Sequence, residues 1–180
     1  MGKGQTVASE FQRRKIAGVF SAMDADGDRY LDETDFRALT SRWTSLRGMV
    51  PESAEAARLG EIMMGWWGTL SGAAGSDKVS LADVLTVVDR LGEMPEAVTA
   101  TADAMFEAVD ENGDGEISAV EYRGLIEAWT GREADTGDVF ALLDLNGDGH
   151  LSKTEFAAHW TEFWAGDNPD APGSWVFGRF

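Results

Sequence analysis

The chain has no cysteine, four prolines, two histidines and two tyrosines among its 180 residues. The missing cysteine removes disulfides, thiolate metal sites and cysteine nucleophiles together. Two histidines, His150 and His159, are too few for a nitrogen-rich metal centre. No run of about 18 apolar residues occurs, so a membrane-spanning helix is not expected. Nor is there an apolar secretory leader at the start, and a soluble, cytoplasmic protein is the expectation. Residues 1–6 (MGKGQT) do fit the loose N-myristoylation pattern, which is short enough to arise by chance. Neither a phosphate-binding loop nor a nucleophile motif is present, so an enzyme is not expected.

Acid is abundant. Asp and Glu number 32 against 15 Lys and Arg, a formal charge of −17. Such a balance disfavours nucleic acid and anionic membrane as partners and favours cations. The acids are not spread evenly. Three segments align without gaps: residues 24–35 (DADGDRYLDETD), 110–121 (DENGDGEISAVE) and 144–155 (DLNGDGHLSKTE). Each places oxygen-bearing side chains at loop positions one, three, five, nine and twelve and an aliphatic residue at position eight. That is the spacing of the EF-hand calcium loop. On both sides of every loop, apolar residues recur at helical intervals: Phe11, Ile16, Val19, Phe20 and Met23 before the first, Phe36, Leu39 and Trp43 after it.

Calcium takes about six to eight oxygens at about 2.3–2.6 Å, and one twelve-residue loop supplies nearly all of them. Positions one, three and five are Asp24, Asp26 and Asp28, then Asp110, Asn112 and Asp114, then Asp144, Asn146 and Asp148. Position seven gives its carbonyl, so Tyr30, Glu116 and His150 differ freely. Position nine (Asp32, Ser118, Ser152) typically acts through a water. Position twelve should chelate with both carboxylate oxygens, as Glu121 and Glu155 are long enough to do. The first loop has the shorter Asp35 there, which narrows its margin for Ca²⁺ over Mg²⁺. It also carries Arg29 at position six, where a positive φ favours the glycines found in the other two, Gly115 and Gly149.

An odd number of loops suggests a hidden mate, because such loops pair through residues around position eight. Taking Val79 as position eight puts a fourth loop at residues 72–83 (GAAGSDKVSLAD), with Gly72, Ala74 and Ser76 at positions one, three and five. Without carboxylates there, it cannot gather the charge a calcium ion needs. Helix-like stretches at 58–70 and 81–91 flank it. The expected architecture is all-α: four EF-hand helix-loop-helix units in two pairs, one compact globule, with short β contacts between paired loops. Residues 1–94 form the first pair, with an inserted stretch at 44–55; residues 95–165 form the second, and 166–180 an aromatic tail packed on the core.

In loop pattern and length the chain resembles the sarcoplasmic calcium-binding proteins and their calerythrin-like bacterial relatives. The features shared are a long first interval, a silent second loop between active first, third and fourth loops, Asp at position twelve of the first, and an aromatic tail. The resemblance implies a monomeric cytosolic calcium buffer with three ion sites; Arg29 departs from its pattern. Recoverin-like sensors silence a different loop, and calmodulin-like proteins lack the long interval and the tail. A calcium sensor exposing an apolar surface to a protein partner is the alternative. A coelenterazine-type photoprotein or luciferin-binding protein is a third, disfavoured by the closing Phe180 where photoproteins end in proline. Seven tryptophans, as many as the methionines, suit a rigid core better than an adaptable groove.

Overall fold

The computed structural model describes residues 9–178; the pattern at residues 1–6 and the final Phe180 lie outside them. Helix α1 (Glu10–Met23) starts on Ser9, whose side chain accepts the Gln12 N–H. A loop and strand β1 (Tyr30–Leu31) lead into α2 (Glu33–Leu46). Next come α3 (Ala54–Ala74), β2 (Val79–Ser80) and α4 (Leu81–Arg90). The second half repeats the plan with α5 (Pro95–Val109), β3 (Glu116–Ser118) and α6 (Ala119–Thr130), then α7 (Gly137–Leu143), β4 (His150–Ser152) and α8 (Lys153–Ala165). A 3₁₀ turn at Pro172–Trp175 closes the described chain. The fold is therefore all-α with two two-stranded contacts, β1 with β2 and β3 with β4. None of the described helices is long and apolar enough to cross a membrane.

Both strand registers centre on position eight. Leu31 faces Val79 and Ile117 faces Leu151, all four at most 1% exposed. At each of β1 to β4 the following helix is entered through a capping box. Asp32 and Asp35, Ser80 and Asp83, Ser118 and Glu121, and Ser152 and Glu155 exchange side-chain and backbone hydrogen bonds in pairs. Each box satisfies two of the amide donors that a helix start leaves open.

Two boundaries differ from the sequence expectation. Helix α3 begins at Ala54 and runs to Ala74 rather than spanning 58–70, so the inserted stretch contracts to the turn at 47–53. At its far end α3 consumes the first three positions of the silent loop and stops only at Gly75, with φ 70°. Gly72 and Ala74 carry no ligand that would turn the chain about an ion, so the helix continues and Ala74 packs against the core.

The core is aromatic and shared by both halves. Trp66 of α3 stacks on Trp129 of α6 (5.5 Å between ring centres) and lies 5.7 Å from Trp160 and 6.0 Å from Trp164, both on α8. Phe177 from the tail sits 4.7 Å from both Trp129 and Phe163. Val176 beside it is 1% exposed, and its carbonyl accepts the Tyr122 hydroxyl at 3.0 Å. Gly173 makes the close approach: a Cβ there would stand 2.6 Å from the His159 carbonyl oxygen.

Cationic side chains of the first half terminate helices of the second. Arg42 donates through Nε to the Ala128 carbonyl at 2.6 Å and through Nη2 to that of Trp129 at 2.8 Å, closing α6. Arg47 donates to the Val109 carbonyl at 3.0 Å, closing α5. Lys15, fully buried, donates to the Gly166 carbonyl at 2.8 Å beyond α8, with the Phe163 ring 5.1 Å from its ammonium. Helices α5, α6 and α8 have no basic residue in their own last turn, so these contacts complement dipoles that the local sequence leaves bare.

Candidate metal-binding loops

Loop residues 24–35, 110–121 and 144–155 share one hydrogen-bond plan. In each, the position-one carboxylate accepts the position-six N–H: Arg29 to Asp24 at 2.9 Å, Gly115 to Asp110 at 2.9 Å, Gly149 to Asp144 at 2.8 Å. The position-five carboxylate accepts the position-seven N–H, from Tyr30 to Asp28, Glu116 to Asp114 and His150 to Asp148, at 2.8, 2.9 and 2.9 Å. At position three, Asp26, Asn112 and Asn146 each accept the position-five N–H. Amide donors thus draw the chain around one centre and hold the remaining oxygen lone pairs available to a cation.

Position twelve closes each loop from the exiting helix. Asp35 accepts the Ala25 N–H at 2.9 Å and the Asp32 N–H at 3.0 Å while 2% exposed. Glu121 spans the same gap, accepting from Glu111 at 3.0 Å and Ser118 at 2.8 Å. Glu155 accepts the Ser152 N–H at 2.9 Å. Position nine (Asp32, Ser118, Ser152) also caps the exiting helix through its side-chain oxygen. The strand starts Tyr30, Glu116 and His150 occupy position seven.

The first loop meets a geometric test for an oxygen-bound cation. One carboxylate oxygen from each of Asp24, Asp26 and Asp28 lies within 4.8 Å of the others. Two oxygens each about 2.4 Å from one ion stand at most about 4.8 Å apart, so the three fit a single centre. Arg29 adopts φ 70°, the left-handed conformation expected of position six and uncommon for a side chain of its size. Burial pushes the Asp35 carboxyl up from its ordinary value, against the hydrogen bonds from Asp32 and Ala25. The Tyr30 N–H, aided by Lys78, holds Asp28 below the usual range.

The silent loop keeps what pairing needs and lacks what chelation needs. Gly72 and Ala74 lie inside α3, and the Ser76 hydroxyl is turned to the Lys78 carbonyl. Val79 and the Ser80–Asp83 cap remain in place. The roles of three residues of this region, Ser80, Asp83 and Lys78, escaped the sequence reading. The Ser-x-x-Asp spacing at Ser80 and Asp83 signals a capping box. Lys78, whose ammonium lies 3.2 Å from Asp28 in the first loop, carries no local signal beyond being a cation at position seven.

His159 is 1% exposed, and its Nε2 donates to the Leu143 carbonyl at 2.7 Å, ending α7 just before Asp144. A histidine so engaged is a helix terminator.

The EF hand family model matches residues 102–126 and 137–158, which enclose the third and fourth loops with α7 and parts of α5, α6 and α8. Over those residues the chain is similar to the EF hand family. A sarcoplasmic calcium-binding protein alpha chain of Penaeus vannamei is 31% identical to this chain over 110 residues, covering 56% of this chain and 57% of the relative. The chain thus spans little more than half the length of that relative. Among solved structures, the coelenterazine-binding protein of Renilla muelleri in its calcium-loaded apo form superposes with a TM-score of 0.75 at 20% identity, covering 95% of this chain and 99% of that one. A Streptomyces coelicolor calcium-binding protein, described for prokaryotic calcium-mediated regulation, gives 0.70 at 22% identity over 87% and 99%. These likenesses establish the EF-hand fold across nearly the whole chain.

Proposed function

We propose that this EF-hand protein binds calcium in three loops, 24–35, 110–121 and 144–155, and acts mainly as an intracellular calcium buffer, with mixed Ca²⁺/Mg²⁺ character at the first. One observation carries the reading. The same donor plan recurs in all three loops, with the position-one carboxylate held by the position-six amide at 2.8–2.9 Å. Hard oxygen ligands so preorganised favour a hard divalent cation over softer metals. The third and fourth loops, with glycine at position six and glutamate at position twelve, are the calcium-selective pair. The first loop holds the most acid and the shortest closing ligand, and it is where magnesium competes.

The buffer assignment rests on the shared core. A sensor needs an apolar face to open when calcium arrives. Here Trp66, Trp129, Trp160 and Phe177 already bind α3, α6, α8 and the tail into one cluster. The apolar cavity beside it, between Phe20, Trp66, Val88, Val98, Trp160 and Trp164, measures about 70 Å³. Small-molecule sites run to about 300–1,000 Å³, so a luciferin-sized guest does not fit this cavity. On this reading the protein is a cytoplasmic monomer whose ligands are the ions themselves.

Calorimetric calcium titration with and without millimolar magnesium, alongside a hydrophobic dye, tests the assignment. Three calcium events are expected, one of them weakened by magnesium, with little change in dye fluorescence. Two events for both ions would remove the first loop from the proposal. A large calcium-dependent rise in dye fluorescence would replace the buffer by a sensor with a protein partner.

A further inference from the structure

In the first half of the molecule a loop that holds no ligands lies against one that holds five aspartates. Their contact at Leu31 and Val79 brings position seven of the silent loop, Lys78, over the rim of its neighbour. The Lys78 ammonium donates to Asp28 Oδ2 at 3.2 Å, and the Tyr30 ring lies 5.6 Å from it. Asp28 occupies position five, and its other oxygen is taken by the Tyr30 N–H. Both oxygens of this ligand are therefore engaged.

The second pair makes the opposite choice. Its two position-seven residues are Glu116 and His150, whose side chains approach each other at 3.7 Å. Arg47 reaches the third loop only at Glu111, a residue outside its ligand positions, at 3.6 Å, and acts on Glu121 and Asp110 from farther off.

We infer that Lys78 is a tethered counter-ion for the first loop, an internal cation that a divalent ion must displace from Asp28 and that sets this site's affinity. The inference rests on the proposed metal binding at loop 24–35. Lys78 neutralises part of the Asp24, Asp26, Asp28, Asp32 and Asp35 charge in the metal-free protein. It then repels the ion after it enters. A unit charge about 6 Å from a divalent ion in a water-like medium alters binding by about tenfold, and salt screens part of that. A residue of the silent loop thus acts as a control on the ion in the other. It lowers the affinity of an otherwise highly charged site to where filling and emptying both occur at moderate ion concentrations.

The test compares the full-length protein with Lys78→Met and Lys78→Arg by heteronuclear NMR during calcium titration. The Arg29 amide reports the first loop, and the Gly115 and Gly149 amides report the others. Lys78→Met is expected to tighten the first loop by about threefold to tenfold at low salt, with less gain at 0.5 M salt. Lys78→Arg should stay near the parent, and the other two loops should not change. Thermal unfolding of metal-free Lys78→Met should show a slightly lower midpoint, since the counter-ion is gone. An unchanged or weaker first loop in Lys78→Met overturns the role of Lys78 while leaving three-site binding intact. If the parent fills two loops and Lys78→Met fills three, the counter-ion role is upheld in its strongest form. If neither protein fills the first loop, both the counter-ion and the first site fall, while the other two loops stand.

Discussion

Leu31 and Val79 face each other across the first strand pair, 1% and 0% exposed, although one belongs to a loop rich in ligands and the other to a loop with none. This pairing explains why the silent unit persists. Its strand, its cap and its apolar residue are the mould against which the first loop closes.

Val79→Ala should therefore harm a loop it does not belong to. Loss of two buried methyl groups costs about 1–3 kcal/mol of folding stability, measurable by urea denaturation. Calcium affinity at the first loop should fall, as reported by the Arg29 amide, while Gly115 and Gly149 titrate as before.

Asp35→Glu addresses the short closing ligand. Asp35 is already turned inward onto the Ala25 and Asp32 amides, so an added methylene extends the carboxylate toward the ion centre. Bidentate chelation suits calcium and exceeds what octahedral magnesium accepts. Calcium binding at the first loop should strengthen by about tenfold without a matching gain for magnesium, a difference that paired calorimetric titrations would show.

Arg29→Gly relieves a left-handed side-chain residue. The strain lies in the backbone of the folded loop, at φ 70°, so its relief should appear in folding stability. The gain is about 0.5–1 kcal/mol, after subtracting the greater freedom of glycine in the unfolded chain. At this chain length that raises the melting midpoint by about 1–4 °C.

Alkaline pH should stabilise the protein through Lys15. Burial lowers its pKa from 10.5 to about 8, opposed by the charges of Asp167 and Glu162. Between about pH 8 and 10.5 the unfolded chain holds a proton there that the folded chain has released, so stability rises with pH across that window. Tyr122 acts in reverse. Burial raises its pKa above the ordinary 10, so above pH 10 the unfolded chain loses the proton first and stability falls. Urea midpoints at pH 7, 8, 9 and 10 should climb for the parent and stay nearly level for Lys15→Met.

The loops were legible in the sequence because coordination chemistry dictates ligand types at set intervals, and Leu31, Val79, Ile117 and Leu151 mark the pairing register within them. The end of α3 was not. Counting back from Val79 as position eight makes Gly72, Ala73 and Ala74 loop, whereas helix continues through them until the left-handed Gly75 stops it. The cross-capping cations were hidden for another reason. Lys15, Arg42 and Arg47 meet carbonyls 151, 86 and 62 residues away, and a carbonyl has no side-chain identity for a sequence to display. Lys78 belongs to the same class, since its partner Asp28 is 50 residues distant.

Those three cations also bear on how the molecule responds to cutting. The short link at Leu91–Glu93 and Pro95 is the sole covalent bridge between the halves. A nick there leaves Lys15, Arg42 and Arg47 still seated on the ends of α8, α6 and α5, and Trp66 still stacked on Trp129. The two fragments should then stay together as a reconstituted pair, and a protease would count one cleaved chain where a sizing column sees one intact particle.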